Sequence, residues 1–352
     1  MKSLKRQVQL LLEGGLGSSQ SQLQCLAAPN NKFFELSVMA REIAKHSSTQ
    51  SHFAPRKIAI IGNSTLDHLN TLISMYSSLA GLEVEIFCGG YGQLSQLVFD
   101  PDSTLYQFEP DIVWLFTTHR DVALVSKQLS DEKEIQEVLS APVQRVLAHW
   151  EAIQKNSRAV IIQNNADIPN LQIYGHYEAS TLWGTRNLYS LFNLELAKIA
   201  GEGVALFDLE SLSASYGKDQ WFDEVIWNHS KHPFSLNATG NVAYQGVQLM
   251  LGLMGKAKKC IVLDLDNTIW GGVIGDDGIS GIRLGAGSAE GEAFVAFQEY
   301  LCELNSRGIL IAVCSKNDEK IAQKAFIDHP DMRLTLEHVS VFVANWTNKA
   351  EN

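Results

Sequence analysis

Asp264 and Asp266 are the residues of this 352-residue chain whose type and spacing point most directly to chemistry. They follow four apolar residues, Cys260 to Leu263, and a single residue separates them. A short apolar run without alternation suits a strand buried in a parallel sheet. Asp264 then stands at the carboxyl end of the strand, where open α/β sheets bind ligands. Alternation along an extended chain turns both carboxylates to one side. Two like charges so placed repel unless a cation sits between them. Mg²⁺ suits the position, because it takes oxygen ligands and leaves room for phosphate. A carboxylate can also attack phosphorus and form an aspartyl-phosphate. A solvated turn carrying two acids would look the same over three residues, so the surrounding sequence has to decide.

A second candidate comes earlier. Ile61-Gly62-Asn63-Ser64-Thr65 ends an apolar run with a tight turn and a hydroxyl at the start of a helical pattern. An esterase nucleophile would sit there. Ser64 and Thr65 could instead cap the helix, as such residues often do, and the sequence favours that reading.

The elements that must position these residues recur in a regular order. Strand-like apolar runs are Ile58–Ile61, Val84–Phe87, Ile112–Phe116, Val160–Gln163 and Val204–Phe207. Helical patterns fall at Thr65–Ala80, Val143–Lys155, Leu188–Ala200 and Val242–Met254. Strands alternating with helices predict a doubly wound parallel sheet. Residues 1–54 read as a separate helical arm and linker. Phe34, Leu36, Val38, Met39 and Ile43 form an apolar helix face, and Ser47–Ser51 is a polar linker. Beyond Asp264, a helix with Phe294, Phe297, Leu301 and Leu304 on one stripe should stop at Gly308. Strands at Ile309–Val313 and Val339–Val343 follow. The expected domains are 1–54, 55–255 and 256–352.

The string Asp264-Leu-Asp-Asn-Thr-Ile-Trp-Gly-Gly-Val-Ile-Gly-Asp-Asp-Gly278 resembles motif I (DxDxT) of the haloacid dehalogenase (HAD) superfamily, and within it the FkbH-like branch. Gly271–Gly287 resembles the flap such proteins fold over their site. Ser315, in Cys314-Ser315-Lys316-Asn317, matches motif II, and Asn345-Trp346-Thr347-Asn348-Lys349 through Asn352 resembles motif III. The N-terminal part resembles a degenerate SGNH hydrolase. Gly62–Thr65 stands for the GDS block and Gly89–Gly92 for the oxyanion glycine. Phe116–Asp121 replaces the usual Asn block, and His229-Ser230-Lys231-His232 lacks the expected acid, the nearest being Asp223.

This resemblance implies an SGNH/flavodoxin-like parallel sheet domain followed by a partial Rossmann-like HAD domain. It implies glyceryl transfer from 1,3-bisphosphoglycerate to the phosphopantetheine thiol of an acyl carrier protein, with Mg²⁺ as cofactor. Asp264, Asp266, Cys314, Ser315 and Lys349 would be catalytic, and Asp264 and Asp266 would hold the metal. Thr268, Asn317, Ser64 and His232 would contact substrate. Cys314 is either the thiolate that carries the acyl group or a small apolar residue at a strand end. Asn317 or Asp318 can cap the following helix. Attack by Asp264 on phosphorus would instead make the protein a plain phosphatase. No acidic pair for a fourth HAD motif is present, and its strand would border Cys260–Asp264, which would become an exposed apolar edge. The chain thus reads as truncated, completed by a second chain, or a non-catalytic carrier-protein-binding remnant.

Composition narrows the field. A net charge of −11 argues against nucleic-acid binding as the main role. The five cysteines lack metal spacing, and their odd number fits a reducing compartment. The apolar stretch at the start is too short for a signal peptide, and no run reaches transmembrane length. The expectation is a cytoplasmic protein with no membrane partner.

Overall fold

The computed structural model describes residues 2–46, 55–124, 131–171 and 173–351. The expected linker Ser47–Ser51 lies outside them. The chain divides into two compact units, Met1–Leu251 and Gly252–Asn352.

The first unit is built on five parallel strands: β1 (Arg56–Ile61), β2 (Val84–Cys88), β3 (Ile112–Leu115), β4 (Val160–Asn164) and β5 (Val204–Phe207). Their order is β2-β1-β3-β4-β5. This is the doubly wound arrangement that reverses direction between β1 and β3. Ile58 to Ile61 and all four residues of β3 are buried, so both faces of the sheet are covered. Ala59, Ile61, Val113, Leu115 and Ile161 pack on one face against the helices Glu132–Asn156 and Thr185–Ile199. The opposite face buries Trp114 and Phe116, whose rings meet at 5.4 Å.

Helix starts depart from the sequence reading where a cap outweighs a breaker. The helix expected from Val143 begins at Glu132, where Asp131 accepts a hydrogen bond from Glu134 N, and it runs through Pro142. Ser64 and Thr65 do not cap the next helix. It spans Asp67–Leu79, its N-cap is Leu66, and no side chain caps it. The N-terminal residues group with this unit. Gln20 and Gln24 both donate to Leu79 O (2.6 and 2.7 Å), and Tyr76 OH donates to Ala27 O. In the helix Phe33–Ala44, Leu36, Met39 and Ile43 are buried but Phe34 is exposed.

The second unit has three parallel strands, β6 (Cys260–Leu263), β7 (Leu310–Ser315) and β8 (Val339–Ala344), in that spatial order, so β6 is an edge. Leu263, Ile311 and Val313 face a core with Leu265, Ile269, Trp270, Leu301 and Phe326. The other face leaves Val262, Leu310 and Val341 65, 52 and 54% exposed. The helix Ala289–Ser306 turns differently from the expected stripe. Gln298 is fully buried and Phe297 is exposed. Gln298 Nε2 donates to Ile269 O, while its Oε1 accepts from Arg333 N and Leu334 N. One buried amide thereby ties two loops, which offsets the cost of burying it. Among the described residues no helix is long and apolar enough to cross a membrane.

Gly246, in the helix Thr239–Leu253, lies against Trp114, and a Cβ there would sit 2.3 Å from the indole. Alanine in place of a helical glycine usually stabilises by about 1 kcal/mol. Gly246→Ala should do the reverse, lowering stability by about 1–3 kcal/mol through overpacking. A urea melt showing an unchanged or higher midpoint would contradict this packing.

Candidate functional site

Parallel strands deliver their carboxyl ends to one edge, and in the second unit that edge gathers the motif residues. Asp264 directly follows β6. Its Oδ1 accepts from Ser315 Oγ at the end of β7 (2.8 Å) and from Leu265 N (2.9 Å). Its Oδ2 pairs with Lys349 Nζ at 2.6 Å. Asp266 Oδ1 accepts from Trp270 Nε1 (2.9 Å) and Ile274 N (3.1 Å), and its Oδ2 accepts from Asn317 Nδ2 (2.9 Å). Asn317 Nδ2 also reaches Ser315 Oγ at 3.2 Å, which links the two halves of the site.

The loop between the carboxylates and Gly278 is shaped by its own polar groups. Asn267 adopts φ 53°, and its Oδ1 accepts from Gly272 N. Gly272 has φ 98°, and a Cβ there would lie 2.6 Å from Asp277 Oδ2, which accepts from Val273 N. A side chain at 272 would be both strained and blocked. Gly271 and Arg283 exchange backbone hydrogen bonds, and Arg283 forms a two-bond pair with Glu290.

The structure shows which contacts the remaining candidates make. Asp318, not Asn317, caps the helix Glu319–Asp328, accepting from Lys320 N and Ile321 N. That frees the Asn317 amide for Asp266. The Thr268 hydroxyl turns to Asp266 O at 3.5 Å, within its own loop. Cys314 Sγ contacts Lys349 O at 3.8 Å and forms no hydrogen bond with Asp264 or Ser315. Trp270 was unforeseen as a ligand of Asp266. The signal was present, since an indole that is buried needs an acceptor.

The donor set for a cation is all oxygen. Asp264 Oδ2 and Asp266 Oδ2 each have one partner, so lone pairs remain. Among the described residues no three His, Cys, Asp or Glu side chains gather as a metal cluster. Two carboxylates with free lone pairs suit Mg²⁺, which commonly takes one or two carboxylates and fills its shell with water and phosphate.

Ser64 and His232 lie in the first unit. Ser64 is buried, with 1% of its surface exposed. His232 Nδ1 meets Ser230 Oγ at 2.6 Å, and its ring packs edge-on against the buried His68 at 4.4 Å. Burial, with the neighbouring His232, pushes the His68 pKa down to about 3. Asp223 spends its carboxylate capping the helix Glu224–Ser230. Among the described residues no hydrogen bond links Ser64, His232 and an acid, although the charge of Asp67 acts on His232.

Burial raises the Asp264 carboxyl, but hydrogen bonds from Lys349, Ser315 and Leu265 N outweigh it and hold the group below its ordinary 3.8. A carboxylate with a lowered pKa contributes stability above the ordinary value, and that contribution is lost as pH falls below 3.8 toward the folded value. In Lys349→Met the main lowering interaction disappears while burial stays. The Asp264 carboxyl ¹³C signal should then titrate at higher pH than in the parent protein. A lower or unchanged midpoint would mean that Lys349 does not hold this carboxylate.

A family model described as FkbH, N-terminal domain, matches residues 57–250. Among solved structures, the chain is similar to the N-terminal part of a Bacteroides fragilis protein containing a phosphatase domain, crystallised in complex with Mg. That match has a TM-score of 0.76 and 31% identity, and covers 92% of this chain and 83% of the other. An acetyl xylan esterase, AlAXEase, aligns at TM-score 0.39 and 16% identity over 55% of this chain and 98% of its own. A GDSL-like lipase from Bacteroides thetaiotaomicron aligns at 0.35 and 10% over 62% and 99%. A search of the curated proteins finds no match. The family model spans more than half of the sequence, the Bacteroides fragilis relative follows nearly all of it, and the chain belongs to the FkbH family.

Proposed function

We propose that this protein is a Mg²⁺-dependent enzyme of the HAD phosphatase type that transfers a glyceryl unit from 1,3-bisphosphoglycerate to the phosphopantetheine thiol of an acyl carrier protein. The observation that carries the reading is the convergence of Ser315, Asn317 and Lys349 on Asp264 and Asp266. The Mg bound to the Bacteroides fragilis relative supports the cofactor, and that relative's phosphatase domain supports the reaction type.

Asp264 and Asp266 would hold the ion, which supplies positive charge at the phosphoryl oxygens. Lys349 Nζ adds a second charge beside them, and Ser315 Oγ is a donor that can turn from Asp264 to a phosphoryl oxygen. The Cys314 thiolate attacks the acyl carbon. The bond from that carbon to the bridging oxygen breaks, and phosphate leaves with the electron pair. The glyceryl group remains as a thioester on Sγ. The carrier thiol gives its proton to Asp266 and attacks the thioester, the Cys314 thiolate leaves, and Asp266 passes the proton on to solvent.

One observation favours a second reading. Cys314 Sγ contacts Lys349 O rather than any group of the carboxylate pair. Asp264 Oδ2 keeps a lone pair beside Lys349 and could attack phosphorus itself. The oxygen–phosphorus bond of the substrate then breaks, and water returns the aspartyl-phosphate to carboxylate and phosphate.

Intact mass spectrometry after incubation with the acyl phosphate and Mg²⁺ separates the two. Transfer predicts a glyceryl adduct that maps to Cys314 and vanishes in Cys314→Ala. Phosphatase chemistry predicts phosphate release that Cys314→Ala retains and Asp264→Asn lowers at least about a thousandfold. Neither adduct nor phosphate release would sink both readings and leave carrier-protein binding without turnover.

A further inference from the structure

The first unit holds a cavity of about 230 Å³ that the chemistry above does not use. Ile168, Pro169, Leu171 and Ala214 supply its apolar lining, and Arg186, Glu210 and Lys218 its charged groups. Ile168 and Leu171 lie in the segment after β4, and Glu210, Ala214 and Lys218 in the helices after β5. Arg186 is in the first turn of the helix Thr185–Ile199. The cavity therefore belongs to the β5 edge, away from the reversal between β1 and β3.

The lining is anchored from behind. Asp167 is fully buried, and its Oδ1 faces His119 N and Nδ1 at 2.9 and 3.0 Å. Its Oδ2 accepts from Trp221 Nε1 at 2.9 Å. These bonds fix the chain that leads into Ile168. Glu210 Oε2 accepts from Ile168 N and from Lys218 Nζ, each at 2.5 Å. Lys218 Nζ also donates to Ser213 Oγ at 2.7 Å.

Two charged groups of this lining keep unused capacity. Among the described residues the Arg186 guanidinium has no hydrogen-bond or ion-pair partner, and no donor reaches Glu210 Oε1. A guanidinium grips a carboxylate through two parallel hydrogen bonds. A carboxylate oxygen accepts from an ammonium. A phosphate dianion would be repelled by Glu210, whereas a zwitterion satisfies both groups. Pockets for drug-sized ligands run to roughly 300–1,000 Å³, so this one suits something smaller with an apolar part.

We propose that this cavity binds a free apolar α-amino acid. Arg186 takes the carboxylate and Glu210 Oε1 the ammonium, while Lys218 holds the other Glu210 oxygen. Ile168, Leu171 and Ala214 receive the side chain. The site is separate from the Asp264 chemistry and stands whether or not that reading holds.

The test is a titration of the full chain, ¹³C-labelled at isoleucine, leucine and alanine methyl groups, with L-leucine. Saturable shifts at Ile168, Leu171 and Ala214 are expected. L-Leucinamide lacks the carboxylate and isocaproate lacks the ammonium. Each should bind about tenfold more weakly, the loss of one charged hydrogen bond. Arg186→Met should weaken L-leucine about tenfold and leave L-leucinamide unchanged, whereas a general disturbance of the fold would weaken both. Should Arg186→Met fail to fold, Ala214→Trp carries the test, since Ala214 is an exposed helix residue and an indole there would fill the cavity and abolish binding. No saturable shift at these methyl groups, equal L-leucine affinity in either variant, or isocaproate binding as tightly as L-leucine would overturn the assignment.

Discussion

Two carboxylates separated by one residue at the end of a strand must be kept from repelling each other, and the second unit is arranged around that constraint. Asp264 is met by Lys349 and Ser315, and Asp266 by Asn317, Trp270 and a backbone amide. No partner serves both acids except through the Asn317–Ser315 contact. The partners come from the turn after β6, the end of β7 and the segment after β8. Only strands running in one direction deliver all of these to one edge. The Asp264–Lys349 pair is 41 and 39% exposed, so it contributes no more than about 1 kcal/mol to stability. Its value is positional. It sets a positive charge beside a carboxylate that keeps a free lone pair.

Core packing and site geometry share residues here. Trp270 is fully buried among Leu265, Ile269 and Phe326, yet its indole N–H orients Asp266. Gln298 fixes Ile269 O at one end of that same turn and the backbone after Met332 at the other. Loosening either would move a carboxylate as well as cost packing. Close packing transmits such shifts instead of absorbing them.

The strands were legible because unbroken apolar runs between turn residues have few alternatives. All eight recur in the structure, and β6 has the expected bounds. Single-residue patterns were less secure. In the expected stripe Leu301 is buried and Phe294 packs on the core, but Phe297 is exposed beside the buried Gln298, whose amide satisfies three backbone groups across two loops that no local window contains. The helix read from Val143 begins eleven residues earlier, at Glu132, because the Asp131 cap and the buried face of a long helix outweigh the one hydrogen bond lost at Pro142. At the site, the Asp264 and Asp266 pairing was readable from spacing. Which of Asn317 and Asp318 caps the next helix was not, because both residues can cap and only the fold decides which is free. The His119–Asp167 pair was invisible for a similar reason. Its members lie in different loops and meet only because β3 and β4 are neighbours.

The two units use one geometric device with opposite solvation. Each has an aspartate beyond the carboxyl end of a parallel strand, held by donors from neighbouring loops. Asp167 is fully buried, and its oxygens are occupied by two N–H groups of His119 and by Trp221. A carboxylate so enclosed has no route to a ligand, and can act only by holding the chain around it. Asp264 is half exposed and paired with a flexible ammonium, which keeps it charged and leaves one oxygen open to solvent and substrate. Environment, more than residue type, sets what a carboxylate does. Burial makes the first an anchor for its loop, and partial exposure makes the second available as a ligand or nucleophile.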